Sequence, residues 1–419
     1  SLHGTARLLP RAGRLRYGRP GKVGNVAPMY PHDEVVDAAL VGMDGDRVAT
    51  TIAAFERQQR TGGFPGGQMA VRRHGKLVVN VATGLARGHR PDEGQDEPAP
   101  AQTDTLFPCF SAGKALLAIV IAMLEERGQL TAEDRIAKHF PEFATGAHAA
   151  TKEKITILDV LTHQGGILMR DFCTRMDEWP DWDKVRSAMI NAAPTHRRGK
   201  LAYHPLEYGW LLAEVAMRVT GEWLPDWIKR EISDRCGLPR LRFGTEPHEI
   251  DGVARPYWLG PANGLLAGLQ AGQVFEDIAT LPELATAFIP GAGLVTDAAT
   301  LAGFYGMLVA GGVARDGTRV VGSDAVRRYT TRAVMGWDRT NSAPIVLGRG
   351  FFIGTQGPGL FGLWNTSGCF GHAGAFCTLG MADHRTGLAI GITTNGNRNP
   401  GDLVKRMWPL VGGMRRACL

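Results

Sequence analysis

Hydrophobic and polar positions change period several times along this chain. In residues 46–60 (DRVATTIAAFERQQR), Val48, Ile52 and Phe55 recur at helical spacing, so the pattern predicts an amphipathic helix. Residues 68–73 (QMAVRR) and 76–83 (KLVVNVAT) have strand length and meet at His74-Gly75, which predicts a β-hairpin. A loop with several acids and prolines covers 88–105. A helix is then expected over about 111–127. Its interior, residues 115–124 (ALLAIVIAML), is apolar on every face, which places it in the middle of the protein.

Residues 130–290 read mostly as helices broken by loops. Predicted helices cover 156–162, stopped near Gly165-Gly166, then 206–220 and 223–232. Beyond about 291 the character changes again. A helix over 297–310 ends at Gly311-Gly312, stretches 348–355, 370–383 and 388–394 are strand-like, and 402–411 forms a closing helix. Strands therefore occur at both ends and helices fill the middle. The implied class is α/β (α+β): one antiparallel sheet built from both ends, flanked by helices, plus an inserted all-helical domain. The expected division is a basic extension over 1–45, a sheet domain from 46–115 and 291–419, and a helical domain over 116–290.

Composition is that of a globular protein, with 44% hydrophobic and 21% charged residues, and the 55 glycines fit a fold rich in turns. The net charge of +6 is unevenly placed. Arg7, Arg11, Arg14, Arg16, Arg19 and Lys22 lie in the first 22 residues with no acid among them, so the remainder sums to zero. A neutral body has no electrostatic footprint for nucleic acid. The tail shows only Leu8-Leu9 between charges, short of a signal-peptide core, and the run 115–124 is too short to cross a bilayer. The expectation is a cytoplasmic protein without a transmembrane segment, its basic arm solvated. Cys109, Cys173, Cys236, Cys369, Cys377 and Cys418 form no CxxC, which fits buried thiols better than bridges. Cys369, His372 and Cys377 lack zinc-finger spacing, so no metal is expected.

Ser111-Ala112-Gly113-Lys114 carries the first candidate chemistry. If Ser111 sits in the first turn of its helix, Lys114 lies one turn on, on the same side. A serine needs a base to become a nucleophile, and a buried lysine can supply one because burial favours the neutral amine. SxxK alone is a weak signal, and the competing reading is a surface serine followed by a solvated lysine. Two facts count against that reading: no other serine here has Lys at i+3, and Lys114 opens a ten-residue apolar run. Tyr203, in Tyr203-His204-Pro205, could relay a proton or simply fill a core. Gly371-His372-Ala373-Gly374-Ala375 could let a substrate lie along a strand and supply an oxyanion N–H, or could be a tight packing site.

Taken together and in this order, these segments resemble the β-lactamase-related serine hydrolases: class C β-lactamases, DD-peptidases and family VIII carboxylesterases. The likeness runs over about 46–415 and includes FPCFSAGKALLAIVIAMLEERGQL, ITILDVLTHQGGI, YHPLEYGWLLAEVAMRVTG and FGHAGAFCTLGMADHRTGLAIGITTNG. It implies Ser111 as nucleophile, Lys114 as base and Tyr203 as the tyrosine of Tyr-x-Asn. It implies His372-Ala373-Gly374 as the third, substrate-binding motif, with the N–H groups of Ser111 and Ala375 as oxyanion hole. Two departures stand out: Pro205 replaces the asparagine, and His372 replaces the lysine common in this motif. Both remove groups that suit β-lactams, which points to the esterase branch and a small-molecule ester as substrate. Trp179 and Trp182 lie where relatives line an acyl pocket, although ordinary aromatic packing explains them equally well. No cofactor is implied. The alternatives are an acyltransferase, a β-lactamase, a D-amino-acid peptidase or amidase, and an idle binding scaffold. The α/β-hydrolase motif Gly-x-Ser-x-Gly is absent from the sequence.

Overall fold

The computed structural model describes residues 34–90, 93, 98–168, 175–260, 271–363, 366–399 and 401–418. Asp44 caps helix α1 (Gly45–Arg60) by accepting from the N–H groups of Asp46 and Arg47, two donors that the helix itself cannot satisfy. Strands β1 (Gly66–Arg73) and β2 (Lys76–Gly84) form a hairpin. Its turn residues His74 and Gly75 take φ of 49° and 79°, the backbone that a two-residue turn between twisted strands requires.

Four short strands follow: β3 (Phe107–Phe110), β4 (Arg242–Phe243), β5 (Tyr257–Trp258) and β6 (Leu294–Thr296). β3, β6 and β4 make a three-stranded sheet. The principal sheet adds β7 (Val334–Asp338), β8 (Ala343–Leu347), β9 (Phe352–Ile353), β10 (Cys369–Gly374), β11 (Thr378–Asp383) and β12 (Leu388–Thr394) to the first hairpin. Its order is β2-β1-β12-β11-β10-β9-β8-β7, with antiparallel neighbours throughout, so chain ends far apart in sequence share one sheet. β13 (Gly396–Asn397) pairs with β5.

Both faces of the central strands are buried, but by different means. Met69, Val71, Leu379, Met381, Ile390 and Ile392 turn bulky side chains toward α1 and the C-terminal helix Asp402–Ala417, against Phe55, Met407, Leu410 and Met414. The opposite face carries Ala70, Gly380 and Gly391, and the helix Ala298–Val309 lies close upon it. A Cβ on Gly391 would meet the Ala298 carbonyl oxygen at 2.2 Å, so the small residues set the approach of that helix. The largest apolar cluster surrounds the helix Lys114–Glu126, whose residues from Lys114 to Leu124 are all buried. Among the described residues no helix is long and apolar enough to cross a membrane.

Several sequence expectations need correction. Ser111–Gly113 is a 3-10 turn, and the α-helix begins at Lys114. The stretch 370–383 is two strands, broken at Ala375–Cys377, where Phe376 and Cys377 take φ of 58° and 59°. Only Phe352–Ile353 of 348–355 is strand, while the hairpin of β7 and β8 was not foreseen at all. The segment 116–290, expected to be all helical, also contributes β4 and β5. The expected helix 223–232 passes at Lys229 into a π-helical stretch, and the last helix runs on to Ala417. Residues 34–44, assigned to the extension, pack on the body: Ala38 and Met43 are buried, and the Val36 N–H donates to the Leu77 carbonyl at 2.9 Å. Residues 1–33, Cys173 and 261–270 lie outside the described residues.

Candidate active site

The turn at Ser111 follows directly from β3. Phe110 enters it with φ 48° and ψ −126°, a backbone that a bulky L-residue adopts only when its surroundings hold it. Those surroundings are aromatic. The Phe110 ring lies 5.2 Å from Phe275 and 5.5 Å from Phe376, itself a positive-φ residue just after Ala375. Two strained residues, one beside each proposed oxyanion N–H, thus brace each other through their rings. The end of β10 presses on the same turn. A Cβ on Gly374 would meet the Cys109 carbonyl oxygen at 2.0 Å and the Ala112 nitrogen at 3.3 Å, so only glycine lets β10 come this near.

The 3-10 turn brings Lys114 back onto Ser111. Lys114 Nζ lies 3.0 Å from Ser111 Oγ, 2.6 Å from the Pro205 carbonyl oxygen and 2.7 Å from the Gly291 carbonyl oxygen. Burial pushes the lysine down to about 7, while the negative charge of buried Glu207 acts the other way. In the neutral amine, the two carbonyls take the two N–H groups and the lone pair faces the serine hydroxyl. That geometry suits proton abstraction from Ser111.

Tyr203 completes the cluster. Ser111 interacts with its phenol and favours the ionised form, against the effect of burial, and the Tyr203 ring centroid lies 5.1 Å from Lys114 Nζ. Burial raises the phenol well above its usual range, so it is held protonated at rest. The His163 ring lies 4.5 Å from the Tyr203 ring. His163 Nδ1 accepts from the His204 N–H at 3.0 Å, and burial pushes His163 well below the usual histidine range.

His372 is buried on β10, its ring 6.2 Å from Tyr203 and 4.8 Å from Phe352. Burial, assisted by Lys114, lowers it to about 3. Its Nδ1 lies 2.7 Å from the Ala373 carbonyl oxygen, which can only accept, so the proton of the neutral ring is on Nδ1. Nε2 is then an acceptor, and the ring supplies no positive charge. Ala373 and Gly374 are buried beside it, and Ala375 is half-buried.

The two tryptophans are placed elsewhere. Trp179 is buried with its ring 5.6 Å from Trp210, in the core of the helical half. The Trp182 indole donates to Glu214 at 2.7 Å, and its ring stacks on Phe288 at 5.5 Å. Phe288 touches Phe243, whose ring in turn would meet a Cβ on Gly113 at 2.7 Å. Trp182 thus reaches the nucleophile turn through two intervening rings. Sequence reasoning missed His163, Glu207, the Pro205 and Gly291 carbonyls and Asp338, which accepts from the Tyr203 N–H at 2.8 Å. Three of these act through backbone or through an element that the sequence reading did not resolve. Only the apolar-flanked Glu207 left a signal, as an acid at the start of an apolar helix.

The sequence profile of the Beta-lactamase family matches residues 51–409. The chain belongs to the β-lactamase family. It is 28% identical over 376 residues to the esterase/β-lactamase LipL of Mycobacterium tuberculosis, covering 85% of this chain and 83% of that protein. A penicillin-binding protein homologue from Caulobacter crescentus superposes with a TM-score of 0.74 at 27% identity, covering 89% of this chain and 99% of the homologue. A family VIII carboxylesterase shares the fold, with a TM-score of 0.73 at 24% identity, over 90% of this chain and 99% of that one. As a member of the β-lactamase family, the chain is a serine hydrolase.

Proposed function

We propose that this β-lactamase-family hydrolase cleaves carboxylic esters of small or medium acyl chains through an acyl-enzyme on Ser111. The observation that carries the reading is the lysine: 3.0 Å from Ser111 Oγ, with two carbonyls to hold its N–H groups and a proton affinity lowered to about 7. Neutral Lys114 takes the Ser111 proton as Oγ attacks the ester carbonyl. The N–H groups of Ser111 and Ala375 receive the negative charge on the former carbonyl oxygen. As the C–O bond to the alcohol breaks, Tyr203 gives its proton to the leaving alkoxide and is reprotonated from the Lys114 ammonium. Water then attacks the acyl-enzyme, passing a proton through Tyr203 and Lys114, and Ser111 leaves with a proton restored.

Esters are favoured over β-lactams by what the site lacks. Pro205 has no side-chain amide, and its carbonyl is taken by Lys114. His372 is neutral, with its ring proton on Nδ1, so it gives a substrate carboxylate no counter-charge. Each unpaired polar group on a substrate costs about 1–3 kcal/mol, so two such groups reduce specificity by roughly two to four powers of ten. Plain acyl and alcohol groups need neither partner. The relative LipL is an esterase/β-lactamase, which agrees with one nucleophile serving both kinds of acyl group. The test compares kcat/KM for p-nitrophenyl butyrate and nitrocefin on one preparation. The ester value should exceed the lactam value by at least about two powers of ten. A nitrocefin value equal to or above the ester value would assign the protein to β-lactam hydrolysis instead.

A further inference from the structure

We infer that Asp338, at the turn of the β7–β8 hairpin, is the positioning residue that fixes Tyr203 for proton transfer at Ser111; the inference rests on the relay role given to Tyr203 above. Tyr203 belongs to no helix or strand, so no regular ladder holds its backbone. The hairpin turn supplies the missing bonds. The Arg339 N–H donates to the Leu201 carbonyl at 3.1 Å, the Tyr203 N–H donates to Asp338 Oδ1 at 2.8 Å, and Thr340 Oγ1 donates to the Tyr203 carbonyl at 2.8 Å. Both backbone polar groups of the tyrosine are thus gripped by neighbouring residues of one turn. Beneath it, Leu201 packs with Ile345 and Leu347 of β8, so the same hairpin holds the segment by apolar contact as well.

The chemistry of Asp338 sets it apart from a surface turn residue. It is 1% exposed, and the described partners of its carboxylate are neutral: the Tyr203 N–H, the Thr340 N–H at 3.0 Å and Asn341 Nδ2 at 2.6 Å. Burying a carboxylate on neutral donors carries a desolvation cost that an exposed turn residue does not meet. What the carboxylate adds is a charge-assisted bond to a single loop N–H. That bond sets the height of the Tyr203 ring, while His163 at 4.5 Å supports the ring itself. The phenol must stay within hydrogen-bond reach of Ser111, and a displacement of about 1 Å at a reacting group can cost about 100-fold in rate. The hairpin therefore acts on catalysis without touching substrate.

The test is a mutant cycle on the full chain with p-nitrophenyl butyrate. Asp338→Ala should lower kcat by roughly 10- to 100-fold and leave KM within a factor of about three. Asp338→Asn keeps a carbonyl oxygen for the Tyr203 N–H and should restore most of the loss. In a Tyr203→Phe background Asp338→Ala should change kcat by less than about threefold, because no hydroxyl remains to be placed. Thr340→Val, which frees the Tyr203 carbonyl, should follow the same pattern at smaller size, and it carries the comparison if Asp338→Ala does not fold. Equal losses in both backgrounds would overturn the assignment and make the hairpin a general structural support. Unchanged kcat in Asp338→Ala would overturn it as well. If Tyr203→Phe alone leaves kcat intact, the relay reading itself fails, which this design reports separately.

Discussion

The acid side of the pH–rate profile tests the chemistry most finely. Lys114 is fully buried, and burial brings it to about 7. A base with that value is about one-tenth neutral at pH 6 and about nine-tenths neutral at pH 8. An ordinary lysine near 10.5 would be only about 0.3% neutral at pH 8. The kcat/KM for p-nitrophenyl butyrate should therefore fall about tenfold per unit below pH 7 and level off above about pH 8. The site histidines do not obscure this limb: His204 lies near 4, His372 near 3, and His163 well below its usual range. The assay reads p-nitrophenol release where the acid and its anion absorb equally, over about pH 5–9, with enzyme stability checked at each value. The apparent value belongs to the coupled Ser–Lys–Tyr cluster rather than to one atom. A rate that keeps climbing tenfold per unit above pH 8, or one that stays flat down to pH 5, would refute a neutral lysine base of this kind.

Three further outcomes follow from the same geometry. Lys114→Ala and Tyr203→Phe should each lower turnover by roughly 10²–10⁴, and the double variant should lose far less than the product; a fully multiplicative loss would exclude a shared relay. Lys114 is depressed in the folded state, so its charged form opposes folding: the penalty grows as pH falls from about 10.5 to about 7 and is complete below that, up to about 5 kcal/mol. Lys114→Met should therefore gain stability relative to the parent as pH falls from about 10 to about 6, offset by about 1–3 kcal/mol for each carbonyl left without its donor; a melting-temperature difference that does not vary with pH would contradict this. Gly374→Ala should cost both stability and turnover, because its Cβ would meet the Cys109 carbonyl oxygen at 2.0 Å, and a variant with unchanged melting and kcat would show that β10 does not brace the nucleophile turn.

The sheet, the buried helix and the Ser–Lys pair were legible because each has a local signature. Strand-length runs meeting at His74-Gly75 mark β1 and β2, the all-round apolar run marks Lys114–Glu126, and the spacing of Ser111 and Lys114 is short enough for one turn to close it. What escaped was either backbone or long-range. The carbonyls of Pro205 and Gly291 hold Lys114, yet any residue type carries a carbonyl. The break at Ala375–Cys377 was hidden because Phe376 and Cys377 are non-glycine residues at positive φ, held there by tertiary contacts rather than by propensity. Asp338 was missed with its hairpin. Val334–Asp338 and Ala343–Leu347 alternate weakly, and the exposed Met335 and Trp337 obscure the polar outer face expected of an edge strand. Trp179 and Trp182 invited a pocket role by sequence position, but their partners are Trp210, Glu214 and Phe288 of the helical core.

The central claim is that Ser111 becomes acylated, and the most direct measurement is mass spectrometry of the full chain trapped with a fluorophosphonate and, in parallel, with a slowly released p-nitrophenyl ester. One adduct per chain is expected, located by tandem fragmentation on Ser111 in the peptide around Cys109–Lys114, and absent from a folded Ser111→Ala variant that has also lost ester turnover. An adduct on any other residue, or a Ser111→Ala variant that still labels and still turns over ester at the parental rate, would contradict the account.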